Sequence, residues 1–157
     1  MTVDDVTAAL ETRMRLTDAN GLEILDLAEC RDLLAAAHIG RVATASRGRP
    51  VVFPVNAVVE DDLVFVRCGT GTLFREAEAG HTVAFEVDGS DPTYQTGWSV
   101  LVSGSARVVT DPRELERVQH LPLRPWGTGA KDQVVAIVME TVSGRRIPDV
   151  REVTTED

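Results

Sequence analysis

Positive charge is what this sequence is short of: sixteen lysines and arginines stand against twenty-five aspartates and glutamates, a net charge of −9. Such a chain would be repelled by the phosphates of nucleic acid and by anionic membrane surfaces, so neither is expected as a partner. Cysteine is scarce as well. Cys30 and Cys68 form no C-x-x-C pair and are too few for a disulfide framework, which points to a reducing cytoplasm and to plain core residues. No apolar run approaches the roughly 20 residues of a membrane-spanning helix. The start, "MTVDDV", is acidic with no apolar stretch behind it, so no secretory signal is expected. Gly-Lys-Ser/Thr does not occur, which excludes a P-loop. His38, His81 and His120 are isolated, which argues against a metal site and leaves Ser99 in "GWSVL" without a base.

What is present suits a soluble domain of ordinary size: 157 residues, 43% hydrophobic and 26% charged. Residues 1–20 are polar and helix-prone, and "DANG" ends that segment, so an N-terminal helical arm is expected there. The main domain is expected over 21–148, with a frayed tail at 149–157. "LDLAECRDLLAAAHIG" predicts a helix capped by Asp26 and closed by Gly40. From there the apolar period changes to two. "RVATAS", "VVFPVNAVV" and "LVFVRC" read as strands joined by the turns "RGRP" and "EDD". Pro54 falls inside the second of them, so one edge of that strand is expected to be free or bulged. "TGTLFREAEAG" reads as a short helix, "TVAFEVD" as a strand, and "GSDPTYQTG" as a loop. "WSVLVSGSARVV" is the longest strand, with Gly104 as its bend. "DPRELERVQHL" is a helix starting at Asp111 and Pro112, and "QVVAIVMETV" the last strand. About six strands with short helices and no βαβ alternation predict an α+β fold on an antiparallel sheet, most economically a small closed barrel.

One stretch suggests chemistry. In "VRCGTGTLFREAEAG" a strand runs through a glycine-rich turn into a helix. G-x-G without a third glycine and without βαβ surroundings is no dinucleotide fingerprint. Amides from Gly69 to Leu73 at a helix start, the hydroxyls of Thr70 and Thr72, and the charges of Arg67 and Arg75 would nevertheless suit an anion. The plainer alternative is a helix capped by Thr70 with solvated arginines.

Seven segments in order carry a resemblance: "ECRDLLAAAHIGRVAT", "GRPVVFPVN", "VFVRCGTGT", "VAFEVD", "TGWSVLVSGSA", "LRPWGTGAKD" and "VSGRRI". From about Leu22 to Ile147 the chain resembles the FMN-binding split-barrel family of pyridoxamine 5′-phosphate oxidases, in particular the branch that also holds nitroimidazole-resistance reductases. The resemblance implies a six-stranded split barrel, a homodimer, and FMN in the groove between two barrels. It implies that Phe53, Pro54, Val55 and Asn56 run along the flavin, and that Arg67, Thr70, Gly71 and Thr72 take its phosphate. Trp98 and Ser99 would reach the cofactor from the other subunit, and Arg145 and Arg146 would close over it. On the residues alone, Trp98 reads equally as a core anchor, Asn56 as a hydrogen-bonded strand asparagine, and Trp126 as a ligand cover or a seam residue.

The chain also departs from the family. Relatives carry a lysine in the phosphate turn where this chain has Leu73, so Arg67, Arg75 or Arg145 is expected to supply the charge. The function implied is an FMN-dependent oxidoreductase acting on a small substrate. Its alternatives are a non-catalytic flavin or deazaflavin carrier, and a cofactor-free dimeric barrel. No side chain stands out as the catalytic acid or base.

Overall fold

The computed structural model describes residues 16–123 and 129–148. Residues 1–15 of the arm expected over 1–20, the tail over 149–157 and Trp126 lie outside the described residues; residues 16–20 are not helical, and Thr17 forms a β-bridge with Glu23. Eight strands and three helices occur in the order β1 (Glu23–Leu25), α1 (Leu27–Ala36), β2 (Ile39–Ser46), β3 (Arg49–Glu60), β4 (Leu63–Cys68), α2 (Thr72–Glu78), β5 (Thr82–Asp91), β6 (Thr96–Val108), α3 (Pro112–Gln119), β7 (Gln133–Val138) and β8 (Thr141–Ile147). The strand order is β1-β8-β6-β5-β2-β3-β4-β7, and a further pairing of β6 with β7 closes the ring. Six strands, β2 to β7, therefore form the barrel that the sequence predicts. β8 and β1 extend the sheet outward from β6.

Period-two patterning explains the inside and the outside. Phe53, Val42, Phe85, Val102 and Val142 are successive cross-strand neighbours on β3, β2, β5, β6 and β8. That row faces the core: Val42, Phe85 and Val102 are buried, and Phe53 and Val142 pack against them. The next row, Pro54, Arg41, Glu86, Leu101 and Ser143, faces outward, with Arg41 ion-paired to Glu86 at 3.1 Å and also to Asp88. Burying each large side chain of the inner row is worth about 1.5–3 kcal/mol. A smaller cluster of Phe65, Val109, Val118 and Leu123 lies under α3.

Local signals set the boundaries. Asp26 accepts from the Glu29 amide (2.9 Å) while the Glu29 carboxylate accepts from the Asp26 amide (3.1 Å), a complete capping box for α1. The helix does not run on to Gly40. It ends at Ala37, and Gly40 is a β2 residue on which the Phe85 ring rests; a Cβ there would lie 2.3 Å from that ring. Arg47 and Gly48, both at positive φ, make the two-residue β2–β3 turn. The expected loop over residues 89–97 is instead mostly ladder, because β5 and β6 stay paired out to Asp91 and Thr96. "QVVAIVMETV" is likewise two strands. The chain turns a corner at Met139–Glu140, where the Glu140 carboxylate accepts from the amide (3.0 Å) and hydroxyl (2.8 Å) of Ser105. β6 bends at the same level: Ser103 still pairs with β8, and Ala106 already pairs with β7.

Candidate functional site

The site follows from a mismatch in strand length. β3 pairs with β2 from Arg49 to Asn56, but with β4 only from Ala57 onward, because β4 turns away to β7 after Ala57↔Val66. The first half of β3 thus keeps one open edge. The antiparallel ladder counted from the Arg47–Gly48 turn alternates, so Pro50, Val52, Pro54 and Asn56 direct their backbone groups to that edge. The amide of Ala57, of the opposite parity, turns back to the His38 carbonyl at 3.2 Å. Proline at 50 and 54 is tolerated because both nitrogens lie on the unpaired side. The free edge expected from Pro54 is there.

A cavity of about 330 Å³ fills the split between β3 and the end of β4. Phe53, Pro54, Val55 and Asn56 form one wall; Arg67, Cys68 and Gly69 form the other, with Ile39 and Lys131 at the margins. Phe53 and Val55 also pack against the core, so it is the Pro54 and Asn56 positions that face outward. Among the described residues, no carboxylate lines this cavity, although the chain as a whole carries −9. Arg67 is half-buried, and its Nε is buried with no hydrogen-bond partner among the described residues. A buried guanidinium nitrogen left unpaired is costly, and an anion in the cavity would satisfy it. The Cys68 thiol is pushed up to about 11, by burial first and by Asp132, against an opposing pull from Lys131. It is therefore protonated at neutral pH and no nucleophile.

Of the glycine-rich turn, Gly69 lines this cavity, whereas Thr70, Gly71 and Thr72, expected to take a phosphate, do not. α2 starts from Gly71 with no side-chain cap, so the expected cap by Thr70 is not made. Arg75 folds back over the turn, donating to the Thr70 carbonyl (3.4 Å) and to Thr72 Oγ1 (3.5 Å). Gly80, at φ +69°, ends the helix as expected. Leu73 is a core residue only 3% exposed and shares a buried face with Ala77.

Trp98, Ser99 and Arg145 are not brought to this cavity within one chain. They line a second one, of about 340 Å³, at the outer face of β5, β6 and β8. Gly89 makes room for the Trp98 indole, whose Nε1 would lie 2.7 Å from a Cβ there. Arg145 Nε donates to Asp18 Oδ2 at 3.1 Å and its Nη1 to the Gly144 carbonyl at 2.9 Å. The Asp18 carboxyl is held below its usual range chiefly by the amides of Leu22 and Asn20. Arg145 is thus committed to an internal carboxylate. A larger cavity, about 730 Å³, includes Trp98 in its lining together with Glu23, Glu29, Asp91 and Arg146. Arg146 is already paired with Glu23 (3.6 Å) and Glu29 (3.3 Å), so that site is unsuited to an anion.

Sequence reasoning missed Lys131. A compositional signal existed: of the sixteen basic residues fifteen are arginine, and Lys131 is the single lysine.

A closed antiparallel barrel split at one seam, with a cation-lined cavity in the split, defines a split-barrel protein with an anion-accepting site. The chain belongs to the pyridoxamine 5′-phosphate oxidase family, whose model matches residues 26–146. It is similar to the uncharacterized protein Rv0080 of Mycobacterium tuberculosis, with 42% identity over 128 residues, covering 78% of this chain and 84% of that protein. Among solved structures it is similar to the FAD binding protein from Mycobacterium smegmatis, with TM-score 0.66 and 34% identity over 79% of this chain and 97% of that one. A FAD-binding protein from Mesorhizobium loti gives TM-score 0.67 and 26% identity over 81% of this chain and 99% of that one. Among the described residues, no helix is long and apolar enough to cross a membrane.

Proposed function

We propose that this chain is a flavin-dependent oxidoreductase, holding the flavin mononucleotide moiety common to FMN and FAD in the cavity beside Arg67. The observation that carries this is the buried Nε of Arg67, which has no hydrogen-bond partner among the described residues, in a cavity that none of their carboxylates lines. The residues present fit the group. The open edge of β3 at Pro54 offers a backbone carbonyl acceptor for a polar ring edge, and Arg67 beside Gly69 offers a phosphate site. The names of the relatives from M. smegmatis and M. loti support a flavin. A bound flavin would supply the hydride and electron chemistry, leaving the protein to bind, orient and exclude water. Arg67 sets a positive potential, and Phe53 and Val55 supply an apolar wall. A small acceptor, nitroaromatic or quinone-like, is the proposed substrate, and the cytoplasm the proposed compartment.

The working unit is proposed to be a homodimer. Ser99 lies on the same outward sheet face as Pro54 and Asn56, separated by β2 and β5, and that face exposes Val52 (63%) and Leu101 (44%). Trp98 has the opposite parity, that of buried Val100 and Val102, and packs against the core. A two-fold pairing of the outward faces would bring Ser99 of one copy toward the Arg67 cavity of the other.

A carrier role is the second reading, favoured by one observation: among the described residues, neither a histidine nor a carboxylate lines the cavity, so the commonest general acid–base side chains are not at hand there. The purified chain is expected to show a flavin absorbance band, a dimer by light scattering, and oxidation of a nicotinamide donor with a nitroaromatic or quinone acceptor. Chromatography of the released cofactor separates FMN from FAD. Retained flavin without turnover would establish the carrier; a colourless protein unchanged by FMN or FAD would refute both readings.

A further inference from the structure

Proline stands twice on the open edge of β3, at Pro50 and Pro54. Both backbone groups of a residue in an antiparallel ladder point to the same side, so at each of these positions the edge carries a carbonyl and no N–H. The β3–β4 ladder begins only at Ala57, and β4 covers neither proline. Of the two, Pro54 lines the cavity, whereas Pro50 pairs with Ala45 near the β2–β3 turn and lies outside it. On the facing wall the Arg67 guanidinium can only donate. The Pro54 backbone thus accepts on one side of the cavity and Arg67 donates on the other.

We propose that Pro54, by withholding an N–H from the ring, makes the site hold a reduced flavin more tightly than an oxidised one. This rests on the flavin reading above and names the residue that sets the redox preference. Ring nitrogen N5 of an oxidised flavin can only accept a hydrogen bond. Full reduction adds two electrons and two protons, one proton each at N1 and N5, and N5–H then donates. The Pro54 carbonyl is mismatched with the first form and matched with the second. Any other residue at this position would present an N–H beside its carbonyl and serve both forms.

The test reads a potential rather than turnover. Full-length protein loaded with FMN is titrated with dithionite against a reference dye. The wild-type midpoint is expected above that of free FMN, which is tighter binding of the reduced form expressed as a voltage. Pro54→Ala supplies the N–H and is expected to shift the ratio of the two affinities roughly tenfold toward the oxidised form, a fall of about 30 mV for this two-electron couple. Pro50→Ala adds the same group to the same edge outside the cavity and should keep the wild-type potential. A wild-type midpoint at or below that of free FMN, no fall in Pro54→Ala, or an equal fall in both variants would overturn the role of Pro54 while the flavin reading stood. A wild-type protein that takes up neither oxidised nor reduced FMN would overturn that reading and the proposal with it.

Discussion

Arg67→Gln is expected to strip the protein of its flavin while leaving the empty fold as stable as before, or more so. The guanidinium Nε makes no hydrogen bond among the described residues, so its replacement removes no internal hydrogen bond at that atom. What it removes is a half-buried charge held beside a cavity, an arrangement that lowers stability unless a counter-charge is present. Loss of a charge-assisted contact to phosphate costs about 1.5–3 kcal/mol, which is roughly a ten- to hundredfold weaker affinity. Arg67→Lys would keep the charge but lose the Nε–H, and is expected to fall between the two. Thermal melts of the flavin-free proteins, set beside FMN titrations, check this directly. A variant that melts well below wild type would instead make Arg67 a structural residue.

The second large effect is on the fold. A Cβ on Gly104 would lie 1.7 Å from the Val138 carbonyl oxygen and 2.8 Å from its carbon. Both are backbone atoms at the corner where β7 gives way to β8, so no rotamer change relieves the overlap. Gly104→Ala must separate β6 from that corner, loosening the closure of the barrel and the Glu140–Ser105 contact together. The expected cost is about 3 kcal/mol or more, a fall in Tm of roughly 6–12 °C for a domain of this size. Gly129→Ala, where none of the described residues lies within 4 Å of the added carbon, is the control and should stay within about 0.5 kcal/mol of wild type. An unchanged melt for Gly104→Ala would mean that the barrel is not closed there.

The barrel was legible because most of its strands alternate cleanly and are punctuated by turn residues. Val83, Phe85 and Val87 announce their own inward face, and Pro54 announced a free edge. What escaped was set by distant contacts. Nothing in "VMET" marks a corner; the corner exists because Glu140 reaches Ser105 and because Gly104, thirty-odd residues earlier, lets a carbonyl approach. Gly40 looks like a helix stop, and its actual constraint is the Phe85 ring, forty-five positions away. The three-residue β1 is too short to show a period, and it is held by β8. The cavity mixes both kinds of information. Its β3 wall and Arg67 stand out in the local pattern, whereas Lys131 arrives only through the β4–β7 register. Leu73 was read against the lysine of relatives, when its four-residue spacing from Ala77 already marked a buried face.

Everything functional here depends on an anion entering the split beside Arg67. Backbone amide NMR shifts during FMN titration test this most directly. The largest changes should fall at Val55, Asn56 and Arg67 through Thr72, with smaller ones at Lys131. Changes centred instead on the cavity beside Phe74 and Arg107, or no changes at saturating FMN, would contradict it.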